Sequence, residues 1–420
     1  MQTDPPHSSG NDDSARDNDA LLRLVACNGP TAPRRRLLEQ AAPAAALAAG
    51  VGLWRACGLN ARQVAALYGA APATLERARR WLAQPHHHLI GWHDPDYPPL
   101  LRHIPSPPLA LFVAGDPSLL WRPAVALVGS RSPTPGGRDN AAEFARALAV
   151  QGLVVASGLA AGIDTAAHHA ALAVDGGTVA VLGTGPDVPY PRSNNALHAR
   201  IVEHGAVISE HLPGTGPRRE HFPSRNRILA GLSLGTLVIE AAHRSGALIT
   251  ARLAGECGRE VMALPGSIHN PLARGCHRLI RDGACLVERP QDVIDLLASA
   301  VAEQARDLRQ RLAAPKSDSQ APVGDTPDHQ NPNPVAINMG MPPLLPGQAP
   351  EQAGTDHSDQ TRETASEHQR LWRALGYDPT GMDELVERTG LTPAQLSSML
   401  LPMELEGRVV AQHGRYYRNR

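Results

Sequence analysis

At 420 residues and 42% hydrophobic composition, the chain is long enough to hold more than one folded core. Its formal net charge of −1 excludes a globally basic nucleic-acid binder, so contact with a polyanion must come from a local patch. Five cysteines with no C-x-x-C pair, and an apolar maximum at 37–53 broken by Glu39, Gln40 and Pro43, exclude a disulfide framework and a membrane span.

Residues 1–18 are acidic and polar and are expected to be disordered. They contain neither the basic nor the apolar region of a secretion signal, which with the reduced thiols predicts a cytoplasmic protein. Residues 19–95 are rich in Ala and Leu, with helical periods such as Val64, Leu67, Tyr68 and Leu75, Ala78, Trp81, Leu82. Pro and Gly divide them, so a small helical domain is expected, read as an interaction module in preference to a non-specific DNA clamp. His86, His87 and His88, with His93, Asp94 and Asp96, have no ligand spacing fixed on one helix face. We therefore expect no metal and no cofactor.

From 96 to about 300 the pattern changes. Val125–Val128 is an apolar run that stops at Gly129, Ser130 and Arg131. A glycine turn, free amides and a guanidinium after a buried strand can hold a phosphate. The loop continues to Gly137, and a helix with apolar residues at Ala141, Phe144, Ala145 and Leu148 follows. A second run, Leu153–Ala156, ends in Ser157, Gly158 and the loop to Asp164. Further runs recur at Thr178–Leu182, Ala206–Ser209, Gly235–Ile239, Val261–Leu264 and Ala284–Val287. Strands alternating with helices predict an α/β fold, a Rossmann-like doubly wound parallel sheet whose ligand lies outside the carboxyl ends of the strands.

Residues 218–227 carry four arginines against one carboxylate, with Phe222, one of three Phe in the chain, among them. Cations interleaved with an aromatic ring suit a single-stranded nucleic acid, whose bases stack while its phosphates pair. The same residues also fit a core Phe beside a solvated arginine face, and the run alone leaves both readings open.

Residues 301–362, and most strongly 313–362, are biased to Pro, Gln, Asp and Asn and are expected to be a flexible linker. In 363–420, Met382–Thr389 and Thr392–Gly407 read as a helix–turn–helix, with Thr392-Pro393 as its start signal. Val409–Gln412 and Arg415–Arg418 read as the wing of a winged helix. The second helix has Glu404 and Glu406 in place of the cations a major-groove helix carries, so protein contact is favoured over duplex reading.

Five stretches in order resemble the DNA-processing protein A (DprA, or Smf) family: Val128–Arg131, Ser157–Asp164, Phe222–Ile228, Glu240–Ala251, and Val261–Ser267 with Leu279–Ala284. The likeness covers about 96–295 closely and the tail more loosely. It implies a binding protein rather than an enzyme: single-stranded DNA as ligand, dimerisation through the Rossmann-like domain, and loading of RecA recombinase during natural transformation. It implies a sterile-alpha-motif-like N-terminal unit. It assigns DNA contacts to Gly129, Ser130, Arg131, Ser157, Gly158, Arg219, Phe222, Arg225, Asn226 and Arg227. Arg131 and Arg219 would take phosphates and Phe222 a base. Ala247 and His277 depart from the family's usual Ser and Asn, which puts pocket hydrogen bonds near them in question.

Two other classes were weighed. A nucleoside-monophosphate phosphoribohydrolase would need Pro-Gly-Gly before Gly-Thr, and here Gly235, Thr236 and Glu240 stand without it, with the Glu one residue too distant. A transcription regulator would work through the winged helix. Other enzyme readings fail on local pattern. Val155 and Leu159 flank Ser157 where a nucleophile elbow needs glycines, and Val188 breaks the dinucleotide fingerprint after Gly183. Asp164 and His168, four apart, read as an internal hydrogen-bonding pair.

Overall fold

The structure is a computed structural model that describes residues 9–69, 72–313, 357–412 and 414–419. Strand β3, the third in chain order (Ala124–Val128), explains the central architecture. All five residues are buried. The pleat sends Ala124, Ala126 and Val128 into one apolar core and Val125 and Leu127 into another. A strand that is dry on both faces needs helices on both sides.

The sheet is built from β1 (His87–Gly91), β2 (Ala110–Gly115), β3, β4 (Val154–Ser157) and β5 (Thr178–Leu182). It continues with β6 (Ala206–Ser209), β7 (Gly235–Val238), β8 (Glu260–Ala263) and β9 (Cys285–Leu286). The spatial order is β1-β2-β6-β5-β4-β3-β7-β8-β9. From β6 to β9 all neighbours are parallel, whereas β2 runs antiparallel to β6 and β1 to β2. The expected doubly wound sheet is therefore extended by an antiparallel pair. From β3 the chain winds through β4 to β6 on one side, then returns to β7 on the other, so the switch point lies between β3 and β7.

Among the described residues six helices precede the sheet: α1 (Ser9–Ala26), α2 (Thr31–Gln40), α3 (Pro43–Ala48), α4 (Gly50–Ala56), α5 (Ala61–Tyr68) and α6 (Pro72–Leu82). The short α7 (Pro99–Arg102) lies between β1 and β2. Helices α8 (Pro135–Val150) and α9 (Ile163–Leu172) cover one face of the sheet with α14 (Pro290–Ala313), through Phe144, Leu148, Ala167 and Leu297. On the other face lie α11 (His221–Leu232), α12 (Gly246–Glu256) and α13 (Arg274–Arg281), contributing Ile228, Leu229, Ala251 and Cys276. α10 (Asn195–His204) packs with α6 through Leu197, Ile201, Leu75 and Trp81 against Phe112 and Val207. Each fully buried aliphatic side chain contributes about 1.5–3 kcal/mol.

Three boundaries differ from expectation. The polar 1–18 segment is helical from Ser9, because its acids are tied down: Asp17 accepts the Ala44 amide at 2.8 Å and Asp19 accepts Arg79 Nε at 2.8 Å. Leu21, Leu22 and Leu24 then fill the core. β1 lies inside 19–95 yet pairs with β2, so the sheet begins before residue 96. The linker expected over 301–362 is helical at both ends, since α14 runs to Ala313 and α15 starts at His357. The rest of it, 314–356, and residues 1–8 of the expected disordered start lie outside the described residues.

The last unit comprises α15 (His357–Ala374), β10 (Thr380–Gly381), α16 (Met382–Thr389), α17 (Pro393–Leu405), β11 (Val409–Gln412) and β12 (Arg415–Arg418). Its small sheet has the order β10-β12-β11, a winged helix. Thr392 caps α17 by accepting the Gln395 amide at 3.3 Å, and Gln395 Oε1 accepts the Thr392 amide at 3.0 Å. The exposed face of α17 shows Leu401 and Leu405 rather than cations. Arg388 reaches Asp139 on α8 at 2.7 Å. Among the described residues no helix is long and apolar enough to cross a membrane.

Candidate functional site

The loops after β3 and β7 diverge at the switch point, and a cleft of about 650 Å³ opens between them. It is lined by Gly129, Ser130 and Arg131 after β3, and by Ala242, Ser245, Gly246 and Ala247 leading into α12. Arg219, Phe222, Arg225 and Asn226 close it from α11 and the loop before it, and Tyr190 from the loop after β5.

Gly129 is required by packing. A Cβ there would sit 2.6 Å from Ile163 Cγ1 and 2.9 Å from the Glu240 carbonyl. Ser130 accepts the Ser132 amide at 3.1 Å, and its own carbonyl takes the Ile163 amide at 3.1 Å, so the turn is held on both sides. The end of the loop is anchored by Glu240. Its carboxylate accepts the Thr134 amide at 2.9 Å, the Thr134 hydroxyl at 2.6 Å and Asn270 Nδ2 at 3.0 Å. Thr134 in turn caps α8 by accepting the Gly137 amide at 3.0 Å. On the facing side, Ser245 accepts the Ala247 amide at 3.3 Å and starts α12 at the cleft. The start of α12 and the glycine turn thus border one cavity, a setting that favours anions.

Two cations and two rings face the cavity. Arg131 and Arg219 are exposed and form no ion pair among the described residues. Phe222 is half-buried and belongs to no core cluster, so the core reading of this residue does not hold. Its ring lies 5.3 Å from Tyr190, tilted by 46°, and Tyr190 is 41% exposed. Such a pair offers apolar faces for planar groups at the edge of the cationic wall.

Other expected contact residues stand elsewhere. Arg225 borders the cleft but is only 6% exposed, and its Nη2 donates to the Gly158 carbonyl at 2.9 Å. Next to it, Asp164 accepts the Gly158 and Ala160 amides at 3.0 and 3.3 Å. Burial raises the Asp164 pKa against the opposing pull of the Arg225 charge and these amides. Burial likewise lowers that of Arg225. The two clamp the Ser157–Asp164 loop onto α11. Gly158 lies under the Arg225 guanidinium, where a Cβ would collide with it. Ser157 is fully buried and donates to the Leu127 carbonyl at 2.7 Å. Arg227 turns away and pairs with Glu210. These three do not line the cleft. Ala247 lines it with no hydroxyl to offer, and His277 lies outside, its Nε2 at 3.0 Å from the Gly266 carbonyl.

Sequence reasoning missed Tyr190 and the anchoring role of Glu240. Tyr190 stands alone in a Pro-rich loop, and nothing local connects it with Phe222. Asp164 and His168 were expected to bond each other, but His168 Nδ1 instead meets Thr178 Oγ1 at 2.7 Å. Among the described residues no group of three or more metal-ligating side chains converges.

Residues 88–298 match the family described as DNA recombination-mediator protein A, and 355–415 match the DprA winged helix domain. The chain is 36% identical to Protein Smf of Escherichia coli over 364 residues, 86% of each chain. It is 49% identical to DNA processing protein DprA of Streptococcus pneumoniae over 201 residues, 48% of this chain and 71% of that one. An X-ray structure of the Streptococcus pneumoniae protein superposes with a TM-score of 0.58 at 38% identity, covering 65% of this chain and 95% of that one.

Proposed function

The chain belongs to the DNA recombination-mediator protein A family, and from that membership we propose that it binds single-stranded DNA in the switch-point cleft and loads RecA recombinase onto the strand. The setting is the cytoplasmic handling of DNA taken up in natural transformation, with the protein acting as a homodimer through its Rossmann-like domain. One observation carries the reading: the guanidiniums of Arg131 and Arg219, in no ion pair among the described residues, border the same cavity as the Tyr190–Phe222 ring pair. Phosphates pair with the cations while bases stack on the rings, an arrangement that tolerates any sequence.

Catalysis has no support from the residue that a phosphoribohydrolase would use. Both oxygens of Glu240 are occupied by Thr134 and Asn270, and the side chain does not line the cavity. Duplex reading by the winged helix is disfavoured by the exposed Leu401 and Leu405 of α17, which suit a protein partner.

Titration of labelled oligothymidine at two salt concentrations tests the proposal, with a duplex of equal length alongside. Two to four neutralised phosphates per protomer give a slope of log K against log salt of roughly −1.4 to −2.8. Equal affinity for the duplex would overturn it. A strand-exchange assay with RecA on DNA precoated with single-strand-binding protein tests the loading step.

A further inference from the structure

α6 carries three arginines, and the fold uses them differently. Leu75, Ala78 and Trp81 point into the core shared with α10 and β2. Arg79 is held by Asp19, its Nε at 2.8 Å from the carboxylate. Arg77 and Arg80 follow at i and i+3 on another stripe, and with Gln84, just past the helix end, they line a pocket of about 640 Å³ between the helical unit and α10. Arg77 and Arg80 are exposed and form no ion pair among the described residues. His87, His198 and Asp187 complete the polar wall, with one Asp187 oxygen accepting the Gly214 amide at 2.7 Å.

The pocket adjoins the cleft. Asp187 lines the one and Tyr190 the other, and three residue steps span at most about 10–11 Å. A second loop runs beneath the same turn. The Gly185 amide donates to the Thr215 carbonyl at 2.8 Å, and Arg77 packs on Gly214, where a side chain would collide with it. That loop leads directly to Arg218 and Arg219. Two short stretches of chain, 187–190 and 214–219, therefore connect the exposed cations of α6 with those of the cleft.

We propose that the pocket between α6 and α10 is a second phosphate site for the same strand: DNA leaving the Tyr190–Phe222 rings crosses the 187–190 turn and sets its phosphates on Arg77 and Arg80. The inference rests on the single-strand reading of the cleft. It gives the helical unit a part in binding, which its sequence alone did not assign. Because α6 is packed into the sheet's own core, the backbone that carries the two arginines is fixed before the strand arrives, and only their side chains are ordered on binding.

The test is a length series of oligothymidine titrated at several salt concentrations against the full chain and against Arg77→Ala/Arg80→Ala. Both residues are exposed, so thermal unfolding of the variant should match the parent. Short oligomers, which fill only the cleft, should bind parent and variant alike. Longer ones should bind the variant more weakly, with the salt slope reduced by about 1.4, or about 0.7 for each lost phosphate contact. No loss at any length, or the same loss at every length, overturns the second site. Arg131→Ala separates the two readings: it should weaken all lengths. If it weakens none, the cleft itself is misassigned. If it weakens all while the α6 variant weakens none, only the second site falls.

Discussion

The Glu240 carboxylate accepts both the amide and the hydroxyl of Thr134, at 2.9 and 2.6 Å, and so ties the end of β7 to the loop that follows β3. The loop carrying Ser130 and Arg131 is thereby fixed from a residue more than a hundred positions away. Glu240→Ala would leave the Thr134 amide and hydroxyl and the Asn270 amide without their partner. Each such buried group costs about 1–3 kcal/mol. A lower denaturant midpoint together with weaker oligothymidine binding is expected. The parent should release no free base from nucleoside monophosphates. Base release that vanishes in Glu240→Gln would mean that this carboxylate is catalytic.

Arg131→Ala should weaken binding more than any single change in the winged helix. The side chain is exposed and forms no ion pair among the described residues, so the fold should not need it. A lost charge-assisted contact corresponds to about 1.5–3 kcal/mol, and the salt slope should fall by about 0.7. Circular dichroism and a melting curve accompany the titration. An unfolded variant would make Arg131 structural.

Phe222→Ala and Tyr190→Ala should each lower affinity while leaving the salt slope unchanged, since stacking releases no counterions. The loss is about 1–3 kcal/mol per stacked base. With the rings 5.3 Å apart, the double variant should lose less than the sum of the single losses, because each ring supports the other's stack. Arg219→Ala should lower affinity and slope together. If the ring variants change the slope as Arg219→Ala does, the division between stacking and pairing is wrong.

The seven parallel strands were legible because each is a short apolar run stopped by Gly, Ser or a polar loop, as in Val125–Val128 before Gly129. β1 was not, since it opens with His87 and His88 and owes its existence to pairing with β2. Within the Arg/Phe run the cleft face follows helical phase: Arg225 and Asn226 stand at i+3 and i+4 from Phe222, and Arg227 falls on another face. That signal was available. The burial of Arg225 was not, because its counter-charge, Asp164, comes from the first turn of α9 about sixty residues earlier and meets it only in the folded chain. Ser157 shows the same limit, since a hydroxyl at a strand end gives no sign of which carbonyl it will reach.

Acid should loosen the base of this same segment. His211 stacks on His221 with centroids 3.9 Å apart, and its buried Nε2 has no partner. Burial pulls its pKa from 6.5 down to about 4, with His221, Arg227 and Arg218 adding to the effect. A depressed folded pKa means that the unfolded chain binds the proton more readily. The stability held by neutral His211 is complete above pH about 6.5 and is lost as pH falls towards about 4. Chemical denaturation across that window should show the parent losing stability faster than His211→Gln. Parallel profiles for the two would remove His211 as the cause.

The last prediction concerns which part of the chain suffices. A fragment cut to 110–298 would lack β1, the partner of β2, and would truncate α14, removing Ala300 and Val301 from the core shared with α8. It would also strip Leu75 and Trp81 from Phe112 and expose that apolar surface. The cut that respects the packing is after Ala313, which removes only the segment beyond α14 and the winged helix. That unit meets α8 through the ion pair of Arg388 with Asp139, whose exposed carboxylate makes it worth no more than about 1 kcal/mol, and faces His269 and Arg274 with Trp372, Tyr377 and Arg408 across a shared pocket, so its removal should cost the rest little. Residues 1–313 should therefore keep the melting temperature, the salt slope and the oligothymidine affinity of the full chain. If the protein dimerises through its sheet domain, they should also keep the dimer in light scattering. Two clefts on one strand then give long oligomers a disproportionate gain through effective concentration. A monomeric fragment whose affinity rises only smoothly with length would refute the two-cleft arrangement while leaving the single cleft intact.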